Sequence, residues 1–337
     1  MNFPRTWRPR SLLELTLGCA SALLAAACGG TLDAGHDRAP EQLPIGPDNP
    51  IIVSNDGAVD NWQGEYALLL AHANDRPLAG IIVGAAGSWS DLDANVSAWQ
   101  ALVESARASG LRDVPDALRS ASAPLRRPGD GNIASTLPND SDGARFIVTT
   151  SAALARPDRP VVVVTGGALT DVADAYLLDP SVTERVIVVS SLGSGFSDDA
   201  QLARMGIPNG EIDPWADTIV VQKFRYVQVS TYYDQLADVP AERLTELPDN
   251  AFGAWMRAKQ PDIFDIAVAA DQVGVLAAGL REFTRAFTRV SQSGSDGELP
   301  ALAPDAQGRA WLVTASDAAA ARARFWQVLL DPATFPQ

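Results

Sequence analysis

The densest group of chemically capable side chains is Ser54-Asn55-Asp56-Gly57-Ala58-Val59-Asp60-Asn61, with two carboxylates and two amides in a single turn. Hard oxygen donors at that density suit a hard divalent cation such as calcium. They also suit a helix N-terminus, since Asp60 or Asn61 can cap a helix beginning near Gln63. The two roles are compatible. Other chemistry is scarce. Both cysteines, Cys19 and Cys28, lie near the amino terminus, which removes a disulfide framework, a zinc-thiolate centre and a cysteine nucleophile from the body of the chain. The two histidines, His36 and His72, leave almost nothing for a histidine pair or a Ser-His-Asp triad. Any reaction must run on carboxylates.

What must position that turn is an alternation of strands and helices beginning at Pro50. Ile51-Ile52-Val53, Gly80-Ile81-Ile82-Val83, Pro160 to Val164 and Val186-Ile187-Val188-Val189 read as buried strands. Segments 64–72, 94–108, 144–155 and 169–178 read as helices between them. Near-continuous valine and isoleucine runs separated by helices predict an α/β fold, with a mostly parallel central sheet covered by helices on both faces. Beyond about residue 240 the pattern is mainly helical, over 251–259 and 265–280, with a last strand near 310–314 before a terminal helix. There is no internal repeat, and 50–337 reads as one domain. In such sheets ligands bind at the carboxyl ends of the strands, where the acidic turn falls.

The first segment reads as an address. Arg5, Arg8 and Arg10 precede an apolar stretch from Ser11 to Ala27 whose only charge is Glu14, the layout of an export signal over residues 1–27. Leu24-Ala25-Ala26-Ala27-Cys28 resembles a bacterial lipobox, which implies lipid attachment at Cys28, and Gly29 after it resembles lipoproteins sorted to the outer membrane. Residues 28–49, rich in Gly, Pro and Asp, read as a flexible tether. The expected location is therefore outside the cytoplasm, on a membrane. The chain has 26 Lys plus Arg against 41 Asp plus Glu, a net charge of -15. Such a surface repels phosphate backbones, so nucleic acid is not an expected partner.

Four stretches together resemble the inosine-uridine type nucleoside hydrolases. The acidic turn is similar to the family's D-x-D-P-G-x-D-D; Val161 to Asp171 to its apolar strand leading into G-P-L-T-N; Gly210 to Asp217 to E-F-N-x-x-x-D; and Ala270-Asp271 falls at H-D-P. Their order and spacing agree over most of 50–337. The resemblance implies a nucleoside hydrolase-like fold, a bound Ca2+ and a small riboside substrate. It makes Asp56 a metal ligand and general base, Asn61, the Gly166 carbonyl and Asp271 further ligands, and Asp60, Asn209, Glu211 and Asp213 substrate contacts. Asn209 is only a near match, and Asp213 replaces an asparagine. Ser54 and Asn61 stand where the family has aspartates, Ser88 where it has an asparagine, and Ala270 where many members have the histidine that protonates the leaving base.

The implied reaction is hydrolysis of the N-glycosidic bond by a Ca2+-bound water that Asp56 activates. Without that histidine, aromatic stacking by Phe252 or Trp255 is a substitute for an acid, although both also suit core packing. The alternative is a lipoprotein that binds a riboside or sugar and has lost turnover. His72 reads as a packed or surface residue, and Arg119, Arg126 and Arg127 as a solvated face. A homo-oligomer is compatible with the sequence.

Overall fold

The computed structural model describes residues 43–57, 62–85, 91–191, 195–196, 209–229, 241–258, 284–293 and 301–337. The strands are β1 (Ile51–Asn55), β2 (Leu78–Val83), β3 (Ala117–Arg119), β4 (Val161–Thr165), β5 (Val186–Ser191), β6 (Gly195–Phe196), β7 (Arg225–Val229), β8 (Thr284–Ser293), β9 (Ala301–Pro304) and β10 (Ala310–Ser316). The helices are α1 (Gln63–His72), α2 (Leu92–Ala108), α3 (Asp142–Leu154), α4 (Thr170–Leu178), α5 (Val182–Arg185), α6 (Pro214–Lys223), α7 (Ala251–Ala258) and α8 (Ala318–Leu330). All strands join one 10-stranded sheet in the order β3-β2-β1-β4-β5-β7-β10-β8-β9-β6. From β3 to β10 neighbouring strands are parallel, and β8 and β9 then run antiparallel.

The expected parallel sheet with helices on both faces is what forms. Although the central strands are apolar at nearly every position, their residues divide by parity. Ile51, Val53, Val162, Val164, Ile187 and Val189 face one core with α1, α2, α7 and α8, through Tyr66, Leu69, Trp99, Phe252 and Phe325. Ile52, Val161, Val163, Val186 and Val188 face the other, with α3, α4 and α6, through Ile147, Val172, Ile219 and Val220. That is the period-two geometry of a strand buried on both sides.

The carboxyl-terminal region differs from expectation. The helix expected over 251–259 forms as α7, but β8 and β9, which were not expected, follow as an antiparallel pair. Thr-Arg-Ala-Phe-Thr-Arg-Val-Ser-Gln-Ser mixes polar with apolar residues, as suits strands near a sheet edge, and it lacks the continuous apolar signal of the central strands. β7, with alternating Arg225-Tyr226-Val227-Gln228-Val229, escaped notice for the same reason. The expected helix over 265–280 lies outside the described residues. Among the described residues no helix is long and apolar enough to cross a membrane.

β1 lies between β2 and β4, and the chain winds away from it in both directions, to β2 and β3 on one side and to β4, β5 and β7 on the other. The carboxyl ends of β1 and β4 are therefore a topological switch point, where neither crossover covers the crevice.

On the helix side of β1, Gly64 of α1 lies directly beneath the Trp99 indole of α2, and a Cβ there would overlap the ring. Alanine raises intrinsic helix stability by about 1 kcal/mol over glycine, whereas overpacking a closed core costs about 1–3 kcal/mol. The steric term wins because Trp99 is fully enclosed. Gly64→Ala is expected to lower the urea midpoint rather than raise it, and a raised midpoint would show that Trp99 moves freely.

Candidate active site

The acidic turn begins where β1 ends. Ser54, Asn55 and Asp56 are all buried, and the turn is folded by local bonds. The Asp56 N–H donates to Asn55 Oδ1 at 2.8 Å, and the Gly57 N–H donates to Asp56 Oδ1 at 2.7 Å. Asn55 Nδ2 donates to Gln63 Oε1 at 3.1 Å, tying the turn to α1. Trp99 Nε1 donates to the Asp56 carbonyl at 3.2 Å. Helix α1 starts at Gln63 with Trp62 in the cap position, whose side chain makes no cap bond.

From the other side of the crevice comes the loop after β4. The Gly166 N–H donates to the Ser54 carbonyl at 3.0 Å, so the parallel ladder continues past the end of β4. A Cβ on Gly167 would lie 2.9 Å from both Asp56 Cγ and Asp56 N. Only glycine lets the two loops approach this closely. The Gly166 carbonyl accepts Asn209 Nδ2 at 2.9 Å, and Asn209 and Glu211 share a single helical turn in which Glu211 is exposed.

Asp213 sits differently. Its Oδ1 accepts the Ala216 N–H at 2.9 Å and so caps α6, while Oδ2 accepts the Leu125 N–H and the Thr170 hydroxyl, each at 2.8 Å. Its carboxylate is occupied by the protein's own donors. Phe252 is fully buried against Phe335, and Trp255 Nε1 donates to Glu65 Oε1 at 2.9 Å, so both aromatics belong to the packing of α7. His72 is buried, and its Nδ1 accepts the Arg112 N–H at 2.9 Å; burial and the Arg112 charge both hold its pKa below the ordinary value. Asp60, Asn61, Ser88, Ala270, Asp271 and Cys28 lie outside the described residues.

A small cleft of about 60 Å³ opens at this edge, lined by Ser54, Asn55, Asp56, Gly84, Thr170 and Asp171 among others. Asp171 is a participant that sequence reasoning passed over, although it closes the quoted Thr165-Gly166-Gly167-Ala168-Leu169-Thr170-Asp171 stretch. Its Oδ1 accepts the hydroxyls of Ser120, at 2.6 Å, and Ser141, at 2.8 Å. Both serines come from other elements, so local sequence carried no signal for them.

The donors at the switch point are oxygens, namely the Asp56 carboxylate and the Gly166 carbonyl, and in type they fit a hard cation. Among the described residues no group of three or more His, Cys, Asp or Glu is placed to hold a metal.

The chain has the nucleoside hydrolase fold. It is similar to a plant nucleoside hydrolase at 17% identity and TM-score 0.61, over 86% of this chain and 99% of that one. It is similar also to the purine-preferring ribonucleoside hydrolase from Gardnerella vaginalis, at 14% identity and TM-score 0.61, over 85% and 99%. A third likeness is to the type III effector protein XopQ, solved in complex with adenosine diphosphate ribose, at 13% identity and TM-score 0.53, over 87% and 95%. No protein-family model and no curated protein matches the sequence.

Burial raises the Asp171 carboxyl above its ordinary 3.8, against the opposing bonds from Ser120 and Ser141. The folded chain then holds this proton more tightly than the unfolded chain. Its contribution to stability is full below the unfolded value and declines as pH rises through the interval up to the folded value. Asp171→Asn lacks that decline, and its amide oxygen can accept the same two hydroxyls. The variant's unfolding free energy relative to wild type is expected to increase between a pH below 3.8 and neutrality, measured by urea denaturation at each pH. A difference that stays flat with pH would contradict the burial cost.

Proposed function

We propose that this chain is an exported, lipid-anchored hydrolase of ribonucleosides or related N-ribosides, with Asp56 as its general base. The observation that carries the reading is the placement of a buried carboxylate at the β1/β4 switch point, pressed beneath Gly167 and lining a cleft. The fold it shares with a plant nucleoside hydrolase and with a purine-preferring ribonucleoside hydrolase supports the substrate class. Export, attachment at Cys28 and a tether rest on the sequence pattern of residues 1–42; the expected tether does not extend to residue 49, because Leu43 and Ile45 pack into the core and Asn49 is buried.

N-glycosidic cleavage builds positive charge on the sugar while electrons move onto the leaving base. Asp56, at its carboxylate, takes the proton of the attacking water. Its buried negative charge also stabilises the developing ribosyl cation, because a fixed charge in a low-dielectric cleft acts more strongly than one in water. Glu211 and Asn209 stand beside the same loop, where they serve the sugar. A calcium ion held by Asp56, the Gly166 carbonyl, Asn61 and Asp271 supplies, when bound, a lowered pKa for that water and a grip on sugar hydroxyls.

A second reading has one observation in its favour. Ser54, which lines the cleft, is neutral where the resembling family carries an aspartate. Less negative charge means weaker calcium binding and less stabilisation of the cation, which favours a riboside-binding lipoprotein without turnover. XopQ, solved with adenosine diphosphate ribose, has the same overall fold.

The deciding experiment uses the purified chain with a nucleoside panel, a reducing-sugar assay and a calcium titration. Sugar release that needs calcium, and that falls by about 100-fold or more in Asp56→Ala, is the expected result. Binding without release moves the assignment to the second reading. Release that Asp56→Ala leaves intact rejects Asp56 as the base.

A further inference from the structure

Both polar backbone atoms of Asp56 are bonded to side chains that rest on the first two residues of α1. The Asp56 N–H donates to Asn55 Oδ1 at 2.8 Å, and its carbonyl accepts Trp99 Nε1 at 3.2 Å. Trp99 packs on Gly64, and Asn55 Nδ2 donates to Gln63 Oε1 at 3.1 Å. A backbone N–H can only donate, so the oxygen of the Asn55 amide must face Asp56 and its nitrogen must face Gln63. Gln63 therefore has to present an oxygen. The same pair meets the loop after β4. A Cβ on Gly166 would fall 2.5 Å from Asn55 Nδ2 and 3.0 Å from Gln63 Oε1, so the two amides occupy the space a side chain at 166 would need. Asn55 and Gln63 are each 2% exposed, and all ten residues of α1 are buried. A bond from Asn55 to the next N–H is local and lets the turn swing as a unit. The bond to Gln63 is what ties that unit to a helix enclosed along its whole length.

We propose that Asn55 and Gln63 form a positioning pair for the base: through Gln63 Oε1, the Asn55 amide and the Asp56 N–H, the buried start of α1 fixes where the Asp56 carboxylate stands in the cleft. The inference rests on the hydrolase reading above and extends it from the base to what holds the base. Placement matters because a shift of about 1 Å in a reacting group can cost about 100-fold in rate. Glu211 and Asn209, which serve the sugar in that reading, belong to a separate turn. Loss of the pair therefore acts on kcat more than on KM.

The test measures kcat and KM for sugar release over the nucleoside panel, with thermal unfolding midpoints alongside. The variants are Asn55→Ala, Gln63→Met, Gln63→Glu and the double variant Asn55→Ala with Gln63→Met. Methionine keeps the length of Gln63 and removes its acceptor oxygen, whereas glutamate keeps an oxygen for Asn55 but loses stability by burying a carboxyl. In Gln63→Met, kcat is expected to fall by about 10- to 100-fold with KM within about twofold of wild type. Gln63→Glu is expected to recover most of that loss although its midpoint is lowered too. The double variant is expected to fall no further than Asn55→Ala alone, because both changes cut one connection. Variants that lower the midpoints and leave kcat of the folded chain untouched make the pair merely structural and overturn the proposal. Equal losses of kcat in Gln63→Met and Gln63→Glu overturn it as well, as do losses that multiply in the double variant. Where Asp56→Ala still abolishes release, those results reject the pair and leave the hydrolase reading standing. Wild type that releases no sugar overturns both.

Discussion

The geometry of the candidate site depends on the pairing of β1 with β4. A strand made of four consecutive valines cannot fix its own register, because a slip by one residue exchanges one valine face for another at little cost. The register is fixed at the strand ends. Before β4 the buried Asn49 side chain donates to the Pro160 carbonyl at 2.7 Å, and the Val162 N–H donates to Pro50 at 2.9 Å. After it the Gly166 N–H reaches Ser54 at 3.0 Å. These polar clamps make the position of Gly167 over Asp56 a defined one. The valines supply the stability of the sheet, and the bonds at its rims decide where the loops meet.

Once that pairing is fixed, the buried carboxylates separate by what they accept. Asp213 binds two backbone N–H groups and a hydroxyl, joining α6, the loop at Leu125 and the start of α4. Asp174 does the same for the segment before α3. Backbone donors are immobile, so these groups are structural joints whose carboxylates have no acceptor capacity to spare for a ligand. Asp171 is held by the Ser120 and Ser141 hydroxyls and the Ala121 backbone, and Asp56 accepts the Gly57 N–H on Oδ1 and lies on the cleft. A strongly acidic chain therefore places only part of its buried acidity at the site, and composition cannot divide one kind from the other.

The legible part of the fold was the part governed by continuous apolar runs. β1, β2, β4 and β5, with the helices between them, followed from Ile51 to Val53, Ile81 to Val83 and the two valine strands, because burial on both faces leaves a signal that survives without an alignment. Strands with polar positions, such as Arg225–Val229 and Thr284–Ser293, were not legible, since their pattern depends on which neighbour covers them. At the site, Asp56 and Gly166 were legible from local motif. Ser120, Ser141 and Trp99 were not, because each reaches the cleft or its loop from an element whose own sequence needs nothing from that contact. Asp213 shows the reverse case. Its position in the motif pointed outward to a sugar, while the bonds it makes point inward to backbone.

On the proposed riboside reading, the described residues bear on which end of the substrate is served. Phe252 and Trp255 are committed to the packing of α7, and His72 accepts a backbone N–H away from the crevice. None of these stacks on or protonates a departing base. The cleft is lined by carboxylate, hydroxyl and amide side chains together with alanines, Pro124 and Ile212. Losing a general acid costs about 100- to 10,000-fold when the leaving group is poor and much less when it departs readily. On the proposed riboside reading, a site that acted from the sugar side alone would be matched to ribosides with good leaving groups.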